Sequence, residues 1–578
     1  MKKALLTGNE AIARGAYEHG VQVATAYPGT PSTEILENVA GYREIKAQWS
    51  PNEKVALEVA IGASIGGSRT LCAMKHVGVN VAADPLFTFS YTGVNGGLVL
   101  ISADDPGMHS SQNEQDNRLY ARFAKIGLLE PADSQEAKDM VGQALEISER
   151  FDVPVMLRTT TRISHSKTLV ELADPAERAA KPYVKNAPKY VAVPANAKVR
   201  HVFVEQRLAD MAAFSEETPL NRVEWGDRKI GIVTSGIVYQ YVKEALPSAS
   251  VLKLGYTNPL PLRKIADFAT QVEQLWIVEE LEPFIEEQVR AAGIKVAGGK
   301  AQLTNLGELT PSMIKQAITE AVPTDAAAPA QVPVRPPVLC PGCPHRGVFY
   351  ALKNNRKVVT GDIGCYTLGA LAPLEAMDTT ICMGASIPTG LGMEKAHPEL
   401  ADKLVSVIGD STFLHSGITG LIDAVYNKGT TTVMILDNSI TAMTGHQHHA
   451  GTGMTLQGEP ANKVDLEALC HAVGVKRVRT VDAGDLKAVD QAIKEETAVR
   501  ELSVIIARRP CALIVKQTTP RIKVLADKCT GCRMCMRLGC PAISHSNKKS
   551  TIDPSLCVGC GLCAQVCKFD AMVPEEGE

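Results

Sequence analysis

Cys529, Cys532, Cys535 and Cys540, followed by Cys557, Cys560, Cys563 and Cys567, repeat one spacing: Cys-x2-Cys-x2-Cys, then a fourth Cys a few residues on. Thiolates spaced in this way can turn inward around a cubane of iron and sulfide, and in two-cluster proteins the fourth Cys of each run serves the other cluster. The expected ligand sets are therefore Cys529, Cys532, Cys535 and Cys567 for one 4Fe-4S cluster, and Cys557, Cys560, Cys563 and Cys540 for a second. Such clusters move single electrons. A pair of zinc ribbons also uses Cys-x2-Cys pairs, but eight cysteines in two four-Cys runs favour iron. The first run has four residues rather than the usual three before Cys540-Pro541, and Cys567 is followed by Lys568 instead of proline. The longer loop removes no ligand.

A second constellation uses oxygen. Gly409-Asp410-Ser411 closes the apolar run that starts at Val405, and Asn438 lies 28 residues after Asp410, closing the run Met434 to Asp437. A hard divalent cation takes oxygen ligands in octahedral geometry. Two strand-end oxygens, a nearby carbonyl and diphosphate oxygens would supply them. The alternative for a lone Gly-Asp-Ser is a simple turn.

These residues need a scaffold, and the sequence supplies one. Short Val/Ile/Leu runs alternate with longer helical patterns, which reads as parallel-sheet α/β layers. Examples are Gly97 to Ser102, Lys229 to Thr234, Val405 to Gly409 and Thr432 to Leu436, each followed by the polar or Gly-rich residues with which such sheets build sites. Expected boundaries are 1–165 for a first α/β domain, 166–225 for a polar connector, 226–322 for a smaller α/β domain, 336–520 for a third, and 521–578 for the cysteine-rich tail. The Ala- and Pro-rich segment 322–331 reads as a linker. Net charge is -3, with Lys+Arg 60 against Asp+Glu 63, so no basic field recruits nucleic acid. No apolar stretch has signal or membrane-spanning length. With fifteen cysteines in clustered spacing, the expected place is the reducing cytoplasm, away from membranes.

The oxygen motif is similar to the thiamine diphosphate motif, Gly-Asp-Gly followed at about this distance by Asn. That resemblance implies that Asp410, Asn438 and the carbonyl of Ile440 hold Mg2+, with Ser411 in place of the usual last glycine. Thiamine chemistry also needs a carboxylate against the cofactor's aminopyrimidine. The helical pattern from Asn52 to Ser64 offers Glu53 and Glu58, either of which could equally be a solvated helix charge.

Tyr27-Pro28-Gly29-Thr30-Pro31-Ser32, Glu53 ahead of Gly62-Ala63-Ser64, Cys340-Pro341-Gly342-Cys343-Pro344-His345, and Asp410 with Asn438 together resemble the 2-oxoacid:ferredoxin oxidoreductases. The resemblance runs over essentially the whole chain, including a fused two-cluster ferredoxin tail, and is closest to large subunits acting on aryl 2-oxoacids. It implies a multidomain α/β thiamine diphosphate enzyme fold: a pyrimidine domain at 1–165, a transketolase C-terminal-like domain at 226–322, a diphosphate and Mg2+ domain at 336–520, and the ferredoxin domain. It favours Glu53 over Glu58 as the activating carboxylate, places Thr30 at substrate and cofactor, and adds Thr444 to the cofactor site. Met443 stands where the pyruvate enzymes carry an Asn, which points to a larger, more apolar substrate. Cys340, Cys343, Cys365 and Cys511 fall at spacings like those of a cofactor-proximal third 4Fe-4S cluster, leaving Cys72, Cys382 and Cys470 as core thiols. His109, Arg118 and Arg122 are candidates for the substrate carboxylate, which a planar guanidinium suits. The implied reaction is coenzyme A-dependent oxidative decarboxylation of indolepyruvate- or phenylpyruvate-type acids, with an external ferredoxin as acceptor. A smaller beta subunit is implied as partner, in a heterodimer or a dimer of heterodimers. Branched-chain 2-oxoacids, or a non-oxidative thiamine decarboxylase, are the competing readings.

Overall fold

A computed structural model of the chain describes residues 2–320, 336–516 and 519–575. The chain divides into two compact units, Met1–Ala330 and Gln331–Glu578. The expected linker at 322–331 lies outside the described residues.

In the first unit the described residues form a seven-stranded sheet in the order Tyr256–Asn258, Gly127–Leu129, Val155–Thr160, Leu98–Asp104, Thr70–Lys75, Val23–Ala26, Lys46–Trp49. Every neighbouring pair is parallel except the first. Leu98–Asp104 lies at the centre with every residue buried, as a strand covered on both faces by helices must be. A second sheet, of four strands among the described residues, has the order Gln274–Ile277, Asp227–Ser235, Ala249–Leu254, Asn221–Glu224.

Two sequence-based boundaries need correction here. Residues 166–225 are not a connector: Lys167–Leu172 pairs antiparallel with Lys2–Thr7, and Pro194–Glu217 is a helix of 24 residues. Only Val204, Arg207, Met211 and Ser215 of that helix are buried, so the broad apolar stripe that marks a packed helix is missing from its sequence. Polar ties hold it instead, with Arg207 donating to the carbonyls of Ser90 and Asp152 at 2.7 and 2.9 Å. The smaller α/β domain begins ahead of 226, because Asn221–Glu224 is the edge strand of its four-stranded sheet. Its short strand Tyr256–Asn258 completes the edge of the seven-stranded sheet by pairing with Gly127–Leu129.

In the second unit the described residues form a six-stranded sheet, parallel throughout, in the order Thr379–Thr380, Val358–Gly361, Leu404–Gly409, Thr432–Asp437, Ser503–Arg508, Arg477–Asp482. The tail adds two short antiparallel pairs, Ile522–Val524 with Met572–Pro574 and Ile543–Ser546 with Lys549–Ile552. Its small core takes in Leu486 from the sheet domain beside Ile522, Leu538, Leu562 and Met572. The Gln565 side chain pins the same corner, accepting from Leu486 N at 2.9 Å and donating to Gly484 O at 2.8 Å.

Candidate active site and cluster-binding cysteines

Leu404–Gly409 and Thr432–Asp437 are adjacent parallel strands, with Gly409 opposite Leu436. The residues just after them, Asp410 and Asn438, therefore emerge side by side at the C-terminal edge, where α/β sheets bind ligands. Glycine is required at 409, since a Cβ there would lie 2.6 Å from Cε1 of the Tyr366 ring. Asp410 is buried, and its two oxygens accept from Ser411 N and Ser439 N, each at 2.8 Å. His449 Nε2 lies 3.3 Å from Asp410 Oδ2. Burial pushes the Asp410 carboxyl up; His449 holds it down while Asp437 pushes it further up. Ser439 takes a left-handed φ of 61°, the bend that carries the chain from Asn438 to Ile440.

Asn438 Oδ1 accepts from Ile440 N at 3.3 Å, its carbonyl accepts from Cys511 N at 3.0 Å, and its Nδ2 lies 3.5 Å from His345 Nε2. Burial lowers His345 to about 4, which keeps that imidazole neutral. Thr441 Oγ1 donates to Ser411 Oγ at 2.9 Å, Thr444 bonds Gln447, and Met443 is exposed. A cavity of about 320 Å³ opens beside Asp410, with Lys463, Arg508 and His449 in its wall. The same wall holds Asp465 and Asp437, the latter paired with Arg508 at 2.7 Å; the hard oxygens of Asp410 and Asn438 fit Mg2+.

In the first unit, Glu53 is the first residue of the helix Glu53–Ile65, which Asn52 caps by accepting from Val55 N at 2.9 Å. Glu53 is 4% exposed and packs into the space a side chain would take at Gly78, where a Cβ would be 2.7 Å from Glu53 Cγ. Glu58, by contrast, lies on the surface paired with Lys54. Thr30 follows Gly29, where a Cβ would lie 3.3 Å from the Lys75 side chain, and the Thr30 carbonyl accepts from Ser110 Oγ at 3.3 Å. Lys75 donates to Ser110 O at 3.0 Å; burial lowers it to about 8 against the opposing charges of Asp105 and Glu53.

The substrate candidates fare differently. Arg118 is 1% exposed, and its guanidinium is consumed by Asp116, by Glu279 at 2.7 Å, and by the carbonyls of Glu280 and Glu282 at 2.8 and 3.0 Å. It has no face left for a substrate carboxylate, so that expectation is corrected. His109 pairs with Glu308 at 3.3 Å. Arg122 is exposed on the short helix Arg118–Phe123.

Neighbouring thiols form three groups: Cys540 with Cys557, Cys560 and Cys563; Cys529 with Cys532 and Cys535; and Cys340 with Cys343, Cys365 and Cys511. Burial pushes Cys563 up to about 12, and the nearby thiols of Cys560, Cys540 and Cys557 add to the rise. These four line one cavity, so Cys540 of the first run sits with the second. Cys535, also raised by burial, neighbours Cys532 and Cys529, while Cys567 Sγ accepts from Ala571 N at 3.4 Å. Cys343, raised by burial to about 12, feels Cys365 and Cys340; Cys365, raised to about 11, feels Cys340 and Cys511. Cys511 Sγ lies 3.9 Å from His446 Nε2. Cys72 and Cys470 are buried, but Cys382 is exposed in a loop and is not a core thiol.

His449, Lys75 and Arg346 were not singled out from the sequence, and His345 entered only as the last residue of the Cys340 to His345 motif. The run His446-Gln447-His448-His449 shortly after Asn438 was a usable signal for one of them. Lys75 and Arg346 had none, because a lone cation in a sequence looks like a surface charge.

Comparison with known proteins bears on the domains that carry these residues. Residues 14–218 match the family described as pyruvate flavodoxin/ferredoxin oxidoreductase, thiamine diphosphate-binding; residues 362–507 match the C-terminal TPP-binding domain of thiamine pyrophosphate enzymes; residues 550–573 match a 4Fe-4S binding domain, which displaces the zinc reading. The chain is similar to the indolepyruvate oxidoreductase subunit IorA of Archaeoglobus fulgidus, at 41% identity over 612 residues, covering 99% of this chain and 98% of that protein. It is 42% identical over 634 residues to the same-named subunit of Pyrococcus abyssi, covering 100% and 98%, and 40% identical over 610 residues to that of Methanothermobacter thermautotrophicus, covering 99% and 97%. Among the described residues no helix is long and apolar enough to cross a membrane. With thiamine diphosphate and 4Fe-4S domains matched along one chain, and about two residues in five shared from end to end with the IorA subunits, the chain belongs to the 2-oxoacid:ferredoxin oxidoreductase family, in its indolepyruvate oxidoreductase IorA branch.

Proposed function

We propose that this chain is the large subunit of an enzyme that oxidatively decarboxylates aryl 2-oxoacids, of the indolepyruvate and phenylpyruvate type, to acyl-CoA and CO2. Coenzyme A is the co-substrate and an external ferredoxin the electron acceptor. The observation that carries the reading is the end-to-end similarity to the IorA subunits; the strand-end pair Asp410 and Asn438 supports it at the site. Thiamine diphosphate, when bound with Mg2+, supplies the electron sink that lets a 2-oxoacid lose CO2. Asp410, Asn438 and the Ile440 carbonyl hold the metal, with Ser411 and Thr444 beside them. Glu53 holds and moves a proton at the aminopyrimidine, with Thr30 nearby. Two 4Fe-4S sites in the tail, and a third on Cys340, Cys343, Cys365 and Cys511, carry the electrons out singly. A smaller beta subunit completes the enzyme as a heterodimer or a dimer of heterodimers. The fifteen unpaired cysteines support a reducing compartment, the cytoplasm.

An anaerobic assay of the complex reconstituted with its partner, against indolepyruvate, phenylpyruvate, pyruvate and 2-oxoisovalerate, tests this reading. Coenzyme A-dependent ferredoxin reduction, fastest with the aryl acids, is expected. Preference for 2-oxoisovalerate would move the substrate class to branched-chain acids, and aldehyde release without reduction would make the chain a simple decarboxylase. Full turnover by the lone chain would remove the beta subunit.

A further inference from the structure

Arg346 is 2% exposed, and among the described residues no carboxylate lies within ion-pair distance of it. Its guanidinium donates to Leu538 O at 2.7 Å, to Cys340 O at 3.1 Å and to Leu339 O, while Nε is buried without a hydrogen-bond partner. Three neutral carbonyls do not balance a buried unit charge. A guanidinium stays ionised in proteins, and a buried charge without a counter-charge is strongly unfavourable, so an anion must stand nearby.

The surroundings supply one. Arg346 lines the same cavity as Cys540, Cys557, Cys560 and Cys563. Four thiolates around an iron–sulfur cube carry net negative charge, and reduction adds one more electron. The fork also grips the backbone on both sides: Leu538 is two residues before Cys540, and Cys340 begins the Cys-Pro-Gly-Cys motif of the third thiol set.

We infer that Arg346 is the built-in counter-cation of the cluster held by Cys540, Cys557, Cys560 and Cys563, favouring its reduced form and tying it to the Cys340 loop. Net charge and hydrogen bonds to sulfur are the levers by which proteins set such potentials. The inference rests on reading these four thiols as the ligands of one cluster. Arg346 is a positioning and tuning residue and touches no substrate.

The test is an anaerobic redox titration of the holoenzyme followed by electron paramagnetic resonance, in wild type, Arg346→Gln and Arg346→Lys, with iron counted in each. The signal altered by Cys540→Ser identifies the cluster. Arg346→Gln is expected to lower the reduced-to-oxidised ratio at the wild-type midpoint by about tenfold or more, an effect that one charge exerts out to roughly 12 Å at an effective dielectric constant of about 20. Arg346→Lys, which keeps the charge without the fork, is expected to stay near wild type. An unchanged midpoint in Arg346→Gln with iron retained, or equal shifts in both variants, would overturn the inference. Loss of iron from Arg346→Gln alone supports it, and loss from both overturns it. A wild-type chain whose iron falls short of about twelve atoms, four for each of three clusters, with no signal that Cys540→Ser alters, would instead sink the cluster reading on which it rests.

Discussion

Glu53 and Glu58 stand five residues apart on one helix, the first buried against Gly78 and the second on the surface beside Lys54. Glu53→Gln is expected to lower 2-oxoacid-dependent dye reduction by about 10²–10⁴-fold while thiamine diphosphate still binds. Glu58→Gln should leave the rate unchanged, since an exposed helix pair contributes only about 0.3–0.5 kcal/mol of stability. Anaerobic steady-state assays beside a cofactor-binding titration separate the two. Arg118 makes the opposite case. Because its charge is spent inside the fold on Asp116 and Glu279, Arg118→Met is expected to destabilise the chain by about 3–5 kcal/mol. The substrate KM should not move. Thermal unfolding and KM measured on the same preparation check it, and a raised KM without lost stability would return Arg118 to the substrate site.

Two elements decide where Glu53 points: the Asn52-capped helix that begins with it, and the short helix His76–Val81 that carries Gly78. Gly78→Ala puts a methyl where the Glu53 side chain now lies, so kcat should fall by about 10²-fold, the cost of displacing a reacting group by roughly 1 Å. Secondary structure by circular dichroism should stay unchanged. A second element effect concerns pH. Glu280 is buried, and burial pushes it up to about 7 although Leu309 N and Arg158 draw it down. Its unfolded counterpart titrates near 4.5, so between these values the folded chain holds the extra proton. Stability is therefore full below about 4.5, falls as pH rises towards 7, and stays level above. Glu280→Gln can still accept from Leu309 and should flatten that fall, gaining up to about 3 kcal/mol at pH 8. Urea unfolding at pH 5, 6, 7 and 8 reads the difference, and parallel curves for the two proteins would refute it.

For the whole molecule, the contrast lies between broad parallel sheets and a tail whose strands pair over three or four residues. A core that small folds stably when metal closes it. Removing iron is expected to expose 521–575 to protease while 336–516 persists, so that digestion of the apo-protein yields a product ending near 520 and digestion of the holo-protein does not. Mass spectrometry of the two digests checks this.

The sequence by itself determined the chemistry that local spacing encodes. Two Cys-x2-Cys-x2-Cys runs, buried Val/Ile/Leu strands, and an Asp and an Asn at strand ends are all legible because thiolate loops and β-strands are specified by a few neighbouring residues. It could not show that the segment 166–225 holds a long helix, because that helix buries too few apolar residues to leave a periodic trace. Nor could it tell a buried arginine from a surface one. Tertiary structure decided that Arg118 is spent on internal carboxylates, that Arg346 is shared between distant cysteine loops, and that Glu53 rather than Glu58 is enclosed. Each depends on partners far away in sequence: Glu279 for Arg118, Leu538 for Arg346, Gly78 for Glu53. Burial and charge balance are properties of that assembled neighbourhood, and no short stretch of residues contains them.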